Sequence, residues 1–241
     1  MKYAIFGDIH ANLEALRAVL KKCTELRVDA YVCIGDIVGY NASPCECVEL
    51  VRSLNPVAIV KGNHDEEATN DSSRIGFNQQ ASQAIEWTRE QLNPAQKEWL
   101  RNLPYKELIR PNITIVHATL DMPQQWGYIF DRYNAEISMN YQFTPLCFFG
   151  HTHVPVAYEK RTGMADPYEV IEVQPAHKYL INTGSVGQPR DGDWRASFVV
   201  YDTTTRQITL HRVEYDIESS MARIRDAGLP ERLALRLLAG R

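Results

Sequence analysis

DAYVCIGD, residues 29–36, is an apolar run without polar alternation that stops at Gly35-Asp36. Such a run reads as a strand, and the missing alternation reads as burial on both faces. The pattern is repeated on either side, as KYAIFGD at 2–8 and VAIVKGNHD at 57–65. Helical patterns separate the three. Asn12 is an N-cap for a helix with Leu13, Leu16 and Leu20 on one face, and Ser43-Pro44 opens a second helix bearing Cys47, Val48 and Val51. Alternation of this kind predicts an α/β fold with parallel strands covered by helices.

Residues 66 to about 104 break the alternation: SRIGFNQQASQAIEWTREQL (73–92) reads as helix, and Asn93-Pro94 starts a short helix carrying Trp99, Leu100 and Leu103. Strands resume at ITIVHAT (113–119) and, after a Tyr- and Gln-rich stretch at 121–144, at LCFFGHTH (146–153). From about 167 strands follow in series: YEVIEV, KYLINTGS, ASFVVYD and QITLHRVEY, the last two joined as a hairpin by the Asp202–Arg206 turn. After Asp216 comes an amphipathic helix pair broken at Gly228-Leu229-Pro230. The expected organisation is one domain over 1–241, with a helical insertion at about 66–104 and a C-terminal helical appendage at about 216–241.

At 241 residues and 44% hydrophobic content, a core can stand without disulfides. The five cysteines read as reduced thiols, since Cys45-x-Cys47 has no second pair to complete a zinc site. A net charge of -4 gives no basic surface for nucleic acid. No apolar run approaches the ~20 residues of a membrane span. MKYAIFGDIH is too short for a signal peptide and carries Asp8 and His10. The expectation is a cytoplasmic chain with no membrane partner.

Five segments end apolar runs with metal-binding side chains: Asp8-x-His10, Gly35-Asp36, Gly62-Asn63-His64-Asp65, His117 and Gly150-His151-Thr152-His153. Singly, Asp-x-His and Gly-Asn-His-Asp are most simply turns, and a lone His-x-His is more often not a metal site. Together they stand where α/β sheets gather functional groups, beyond the carboxyl ends of strands. Glycine precedes four of the five segments, which suits sharp turns that aim a side chain outward. Asp8, His10, Asp36, Asn63, His117, His151 and His153 form the nitrogen and oxygen set that two adjacent divalent ions require. In an extended chain His151 and His153 would lie about 6.6 Å apart on one side, at ~3.3 Å per residue, suiting one imidazole per ion. Asp36 is the candidate bridge, because a carboxylate can offer an oxygen to each ion. His177 and His211 read as ordinary, partly exposed residues.

These motifs, in this order over residues 8–153, resemble the signature of the calcineurin-like metallophosphoesterases. GDIVGYN (35–41), NTGSVGQPRDGD (182–193) and AGLP (227–230) are similar to its small bacterial and archaeal branch of phosphodiesterases and diadenosine-tetraphosphatase-like proteins. The resemblance implies a two-sheet β-sandwich flanked by helices. It implies one ion on Asp8, His10, Asp36 and His153, and another on Asp36, Asn63, His117 and His151. It gives His64 a place beside the ions, contacting the phosphate or protonating the leaving oxygen while bridging hydroxide attacks phosphorus in line. The ions could be Mn, Fe, Zn, Co or Ni, with Mn the first choice.

The protein phosphatase branch carries Gly-Asp-x-x-Asp-Arg, whereas this chain has Gly39-Tyr40 at the last two places. Loss of that arginine removes a bidentate clamp on a monoester dianion. Asp65 is then a candidate to orient His64. Arg190 is either a replacement cation or a solvated loop residue. Trp126, Tyr128 and Phe130 either stack a nucleobase, bury the insertion or pack a dimer, so a homo-oligomer is left open. The expected partner is a small phosphorylated substrate, nucleotides included. The leading expectation is a phosphodiesterase. The alternatives are a dinucleoside polyphosphate hydrolase, a phosphomonoesterase, and a catalytically silent scaffold with the same fold.

Overall fold

The computed structural model describes residues 1–70, 77–109, 111–160 and 165–241. The strands in chain order are β1 (Lys2–Phe6), β2 (Ala30–Cys33), β3 (Ala58–Ile59), β4 (Lys106–Ile109), β5 (Ile113–Val116), β6 (Leu146–Phe149), β7 (Val156–Glu159), β8 (Ala165–Asp166), β9 (Val170–Glu172), β10 (Tyr179–Asn182), β11 (Ala196–Asp202) and β12 (Gln207–Val213). The helices are α1 (Leu13–Leu26), α2 (Pro44–Ser53), α3 (Asn63–Thr69), α4 (Gln79–Gln91), α5 (Pro94–Arg101), α6 (Arg132–Met139), α7 (Ile217–Asp226) and α8 (Glu231–Ala239).

Among the described residues these strands form two six-stranded mixed sheets, ordered β3-β2-β1-β11-β12-β9 and β4-β5-β6-β10-β7-β8. The parallel pairs are β1 with β2, β2 with β3, β5 with β6 and β6 with β10. The sheets pack face to face with helices outside, the α/β sandwich that the resemblance implied.

Successive side chains of a strand point to opposite faces, and here both faces are covered. In β1, Ile5 enters the layer between the sheets with Val32, Ile115, Phe148 and Ile181, while Ala4 and Phe6 pack against Leu16 and Val48 of the outer helices. In β6, Leu146 and Phe148 face the same inner layer, and Cys147 and Phe149 face Ala135 and Met139 of α6. This two-sided cover is the physical reason the strands read as unbroken apolar runs. The simple picture of helices on both faces of one parallel sheet is corrected accordingly: each sheet has helices on one face and the other sheet on its second.

The four strands expected after residue 167 are present in that order and divide between the two sheets. β9 pairs with β12 at the edge of the first sheet, whereas β10 enters the second sheet between β6 and β7. The expected hairpin is present, with Asp202 opposite Gln207. Asn12 caps α1 by accepting from the Ala15 N–H at 3.1 Å, while Ser43 precedes α2 without such a bond. Between β3 and β4 the chain forms α3, which starts at Asn63, then α4 and α5. Residues 73–76 of the expected helix lie outside the described residues. The C-terminal pair α7 and α8 packs Met221, Ile224, Leu233 and Leu237 against Ala81 and Ala84 of α4 and against Tyr40. All five cysteines are free, four of them buried. No helix among the described residues is long and apolar enough to cross a membrane.

Candidate metal centre

The parallel strands of both sheets deliver their carboxyl ends to one end of the sandwich. Asp8 follows β1, Asp36 follows β2, Asn63 opens α3 beyond β3, His117 follows β5, and His151 and His153 follow β6. Five of the seven candidate ligands sit on residues with left-handed backbone: Asp8 (φ 49°), His10 (48°), Asp36 (51°), His151 (66°) and His153 (61°). Asp and His tolerate this region better than most residues, but each instance costs on the order of 1–3 kcal/mol. Hydrogen bonds between the loops hold the conformation, including Asp8 N–H to Gly35 O at 2.9 Å, His10 N–H to Asp36 O at 2.9 Å and Ala11 N–H to Ile37 O at 2.8 Å. The His-x-His segment is therefore bent, and the extended-chain spacing expected for it does not apply.

The glycines before these segments act mainly through the space they leave. Gly35 alone of the four takes positive φ, at 90°. A Cβ on Gly62 would lie 1.9 Å from Asp36 Oδ1, and one on Gly150 would lie 2.2 Å from Asp8 Oδ2. The two carboxylates thus pack against bare backbone, where any side chain would displace them.

The ligand atoms fall into two groups that share Asp36. Asp8, His10, Asp36 and His153 each place one atom within 4.8 Å of the others, and so do Asp36, His117 and His151. Asn63 Oδ1 is buried without a hydrogen-bond partner. Backbone carbonyls fix the imidazole tautomers, because a carbonyl can only accept. His10 Nδ1–H donates to Val38 O (3.1 Å), His153 Nδ1–H to Gln188 O (2.6 Å), His117 Nδ1–H to Ile34 O (2.8 Å) and His151 Nε2–H to Trp126 O (3.0 Å). In their neutral form, rings so held direct lone pairs inward, the second-sphere arrangement of metal-binding histidines. His10 Nε2 and His153 Nε2 then face each other at 3.1 Å, and His117 Nε2 is buried 3.3 Å from Asp36 Oδ2. Opposed lone pairs in a buried site call for a cation between them. The residues fit divalent metal.

Electrostatics agree for three of the four imidazoles. Burial pushes His10 and His153 well below the usual imidazole range, and burial with His117 takes His151 down to about 3, so all three are neutral donors at pH 7. Burial opposes ionisation of Asp36, but His117 and His64 beside it hold its carboxyl well below the usual carboxylate range. Burial also opposes charge on His117, yet Asp36 brings it up to about 9.

His64 is buried at the floor of a cleft of about 240 Å³, lined by Tyr40, Asn63, Phe77, Trp126, Tyr128 and His151 among others. Its ring packs edge-on to His10 (4.7 Å between centroids) and Phe77 (4.8 Å), and against Tyr40 (4.5 Å). Its Nδ1 has no hydrogen-bond partner and faces Gly39, where a Cβ would approach to 2.4 Å. Among the described residues no carboxylate is hydrogen-bonded to its Nδ1.

Asp65 in particular is not, a correction to its expected catalytic part. Its Oδ1 accepts from the N–H groups of Ile37 (2.8 Å) and Val38 (3.2 Å), and its Oδ2 from Gly62 N–H (3.0 Å). Asp65 locks the Asp36 loop to the start of α3, a positioning role. Asp65→Ala would strand three buried donors, at about 1–3 kcal/mol each for a group left unpaired. We expect the melting temperature to fall by at least about 5 °C, measured by circular dichroism. An unchanged melting point with lost turnover would instead return Asp65 to the chemistry.

Arg190 is brought to the site by Tyr40. The Arg190 guanidinium donates to Tyr40 Oη (3.2 Å) and Gln188 Oε1 (3.0 Å), and its backbone N–H donates to His153 O (3.3 Å). Tyr40 itself is buried, with φ at 59°. His177 lies beside Glu159 and His211 stacks on Phe198, both outside the cluster. Sequence reasoning missed the supports at the end of β10. Asn182 Nδ2 donates to Gly150 O (2.7 Å) and Ser185 Oγ donates to Asp8 O (2.8 Å). KYLINTGS ends an apolar run in glycine and polar residues like the ligand segments, and that was the available signal.

Comparison with known proteins follows the same lines. Residues 1–206 match the model of the calcineurin-like phosphoesterase superfamily domain. An uncharacterized protein of Methanocaldococcus jannaschii is 39% identical, the match covering 99% of this chain and 98% of that one. A solved metallophosphoesterase from Sphaerobacter thermophilus is 42% identical, with a TM-score of 0.91 over 100% of this chain and 99% of that one. A hypothetical protein of Pyrococcus horikoshii shares the fold at 21% identity and a TM-score of 0.83, over 100% of this chain and 98% of that one.

Proposed function

The chain belongs to the calcineurin-like phosphoesterase superfamily, and on that footing we propose that it is a metal-dependent phosphodiesterase acting on a small phosphodiester or nucleotide-type substrate. The observation that carries this reading is the sharing of Asp36 between two groups of ligand atoms at the foot of a cleft that also holds His64. Asp8, His10, Asp36 and His153 would hold one divalent ion, and Asp36, Asn63, His117 and His151 a second. Bound there, the ions would supply Lewis acidity to a phosphoryl oxygen and bring the pKa of water from 15.7 toward ~7.

The protein's own groups do the rest. His64, on the cleft floor, contacts the scissile phosphate or the leaving oxygen. Arg190, held by Tyr40, offers one guanidinium at the rim. Tyr128 stacks on His151 at 4.1 Å and, with Trp126, walls the cleft against bulk water. A diester, with one negative charge on its phosphate, asks less of cationic clamping than a monoester dianion. The absence of an arginine at position 40 favours that preference.

The test loads metal-stripped protein with one ion at a time and compares bis-p-nitrophenyl phosphate with p-nitrophenyl phosphate. Mn-loaded protein is expected to give the higher kcat/KM with the diester. A reversed preference would make the protein a monoesterase. No release from either ester, nor from nucleotides followed by phosphorus NMR, would favour the scaffold reading.

A further inference from the structure

Phe143 is 90% exposed, and the residues on either side of it hold it in water. Gln142 is buried, its Nε2 donating to Thr144 O (2.9 Å) and Tyr179 O (3.0 Å). Thr144 is buried as well, its Oγ1 donating to Leu146 O (2.8 Å). The adjoining α6 carries the same surface onward. It buries Ala135, Ser138 and Met139, so Tyr133 and Ile137, one turn apart, lie on the opposite face, with Tyr133 72% exposed. A further turn, closed by Tyr141 N–H on Ser138 O at 3.0 Å, brings the half-exposed Tyr141 round toward Ile137. Before the helix, Phe130 is 67% exposed and stacks on Tyr128 at 5.1 Å, and Tyr128 stacks on His151 at 4.1 Å. The apolar surface thus runs from α6 to the wall of the cleft.

Its size decides what can cover it. At 150–250 Å² for a whole aromatic side chain, these five rings and Ile137 leave roughly 700 Å² in water. The largest apolar patch on a monomer is about 300–600 Å², and one partner's share of a standard interface is about 800 Å². A nucleobase would cover one ring and leave Tyr133 and Phe143 in water. The polar border of the patch is self-complementary. Arg132 and Glu136, both exposed and four residues apart, line one flank of the outward face of α6. Among the described residues neither has an ion-pair partner in its own chain. When a helix packs antiparallel on its own copy about a two-fold axis, each flank meets itself in reverse order. Arg132 then faces the partner's Glu136, and Glu136 the partner's Arg132.

We infer that this face binds a second copy of the chain, with α6 antiparallel on α6 and Tyr133, Ile137 and Phe143 at the centre of the interface. The partner copy then borders the Tyr128 wall of the cleft, on the side of His151. The inference does not depend on the phosphodiesterase reading, because association is measured without turnover.

Sedimentation velocity on the full chain tests it, with wild type, Tyr133→Glu, Phe143→Ser, Arg132→Glu and the Arg132→Glu/Glu136→Arg double swap. Interfaces of this size bind at about micromolar or tighter, so wild type is expected to sediment as a dimer at about 10 μM. Tyr133→Glu and Phe143→Ser are each expected to weaken association about 30-fold or more, the scale of a central aromatic. Arg132→Glu sets like charges against each other across the axis and should weaken it about tenfold, while the double swap restores the pairing and most of the affinity. All four positions are exposed, so melting points should stay within a few degrees of wild type. A monomeric wild type would overturn the inference and leave the surface to another partner. A dimer that neither Tyr133→Glu nor Phe143→Ser weakens uses a different face, and would overturn it too. Dissociation by the aromatic variants together with a double swap no tighter than Arg132→Glu would overturn the antiparallel arrangement.

Discussion

Asp36→Ala is expected to lose metal at both ligand groups and to lower turnover by about 10⁴-fold or more, since water would keep a pKa near 15.7 without the ions. Asp36 is the residue common to the two groups, and its Oδ2 lies 3.5 Å from His10 Nε2 and 3.3 Å from His117 Nε2. Removing it takes a negative charge from both. The substitution has a structural side too, because Asp36 Oδ1 accepts the His64 N–H at 2.9 Å where α3 begins. An unpaired donor there costs about 1–3 kcal/mol. Asp36→Asn separates the two effects by keeping an acceptor while removing the charge. Elemental analysis after metal loading reads the outcome. Either variant retaining two ions per chain would sink the shared-ligand assignment, whatever its activity.

His64→Ala is expected to do the opposite: keep the metal content of the wild type and lose about 10²–10⁴-fold in kcat, the range for a positioned acid or base group. The ring is not in either ligand group, and its Nδ1 faces Gly39 without a hydrogen-bond partner. Its neighbours are rings, those of His10, Tyr40 and Phe77. Truncation therefore removes a functional group from the cleft without stranding a buried partner. Metal analysis and kinetics on the same preparation make the check. Loss of metal with loss of activity would place His64 among the ligands, and full activity would remove it from the chemistry.

The family resemblance, and no local pattern, told these two residues apart: Asp36 and His64 both stand in glycine-led segments that end apolar runs. The strands carrying the ligands were legible from their apolar runs, and α1 from Asn12 and its leucine face. The misses were short or weakly patterned. β4 and β7 have four residues each and lie outside the ligand-bearing strands, and α6 buries only Ala135, Ser138 and Met139. The choice of partner for β10, between β6 and β7, depends on strands distant in sequence.

The amino-acid sequence by itself determined which side chains gather at the strand ends. Apolar period, glycine and turn chemistry are local properties, and a strand end is a local event. Only the tertiary structure decided what surrounds them. Four backbone carbonyls select the imidazole tautomers, and a carbonyl carries no residue identity to read. Asp65 and Tyr40 likewise took their roles from contacts across the fold: one holds backbone N–H groups, the other holds Arg190. Arg232 and Arg236 of α8 stand beside the start of α4 because the C-terminal helices pack against that helix. Such proximity comes from long-range packing, which buries apolar faces wherever they fit and sets the polar groups beside them as a consequence.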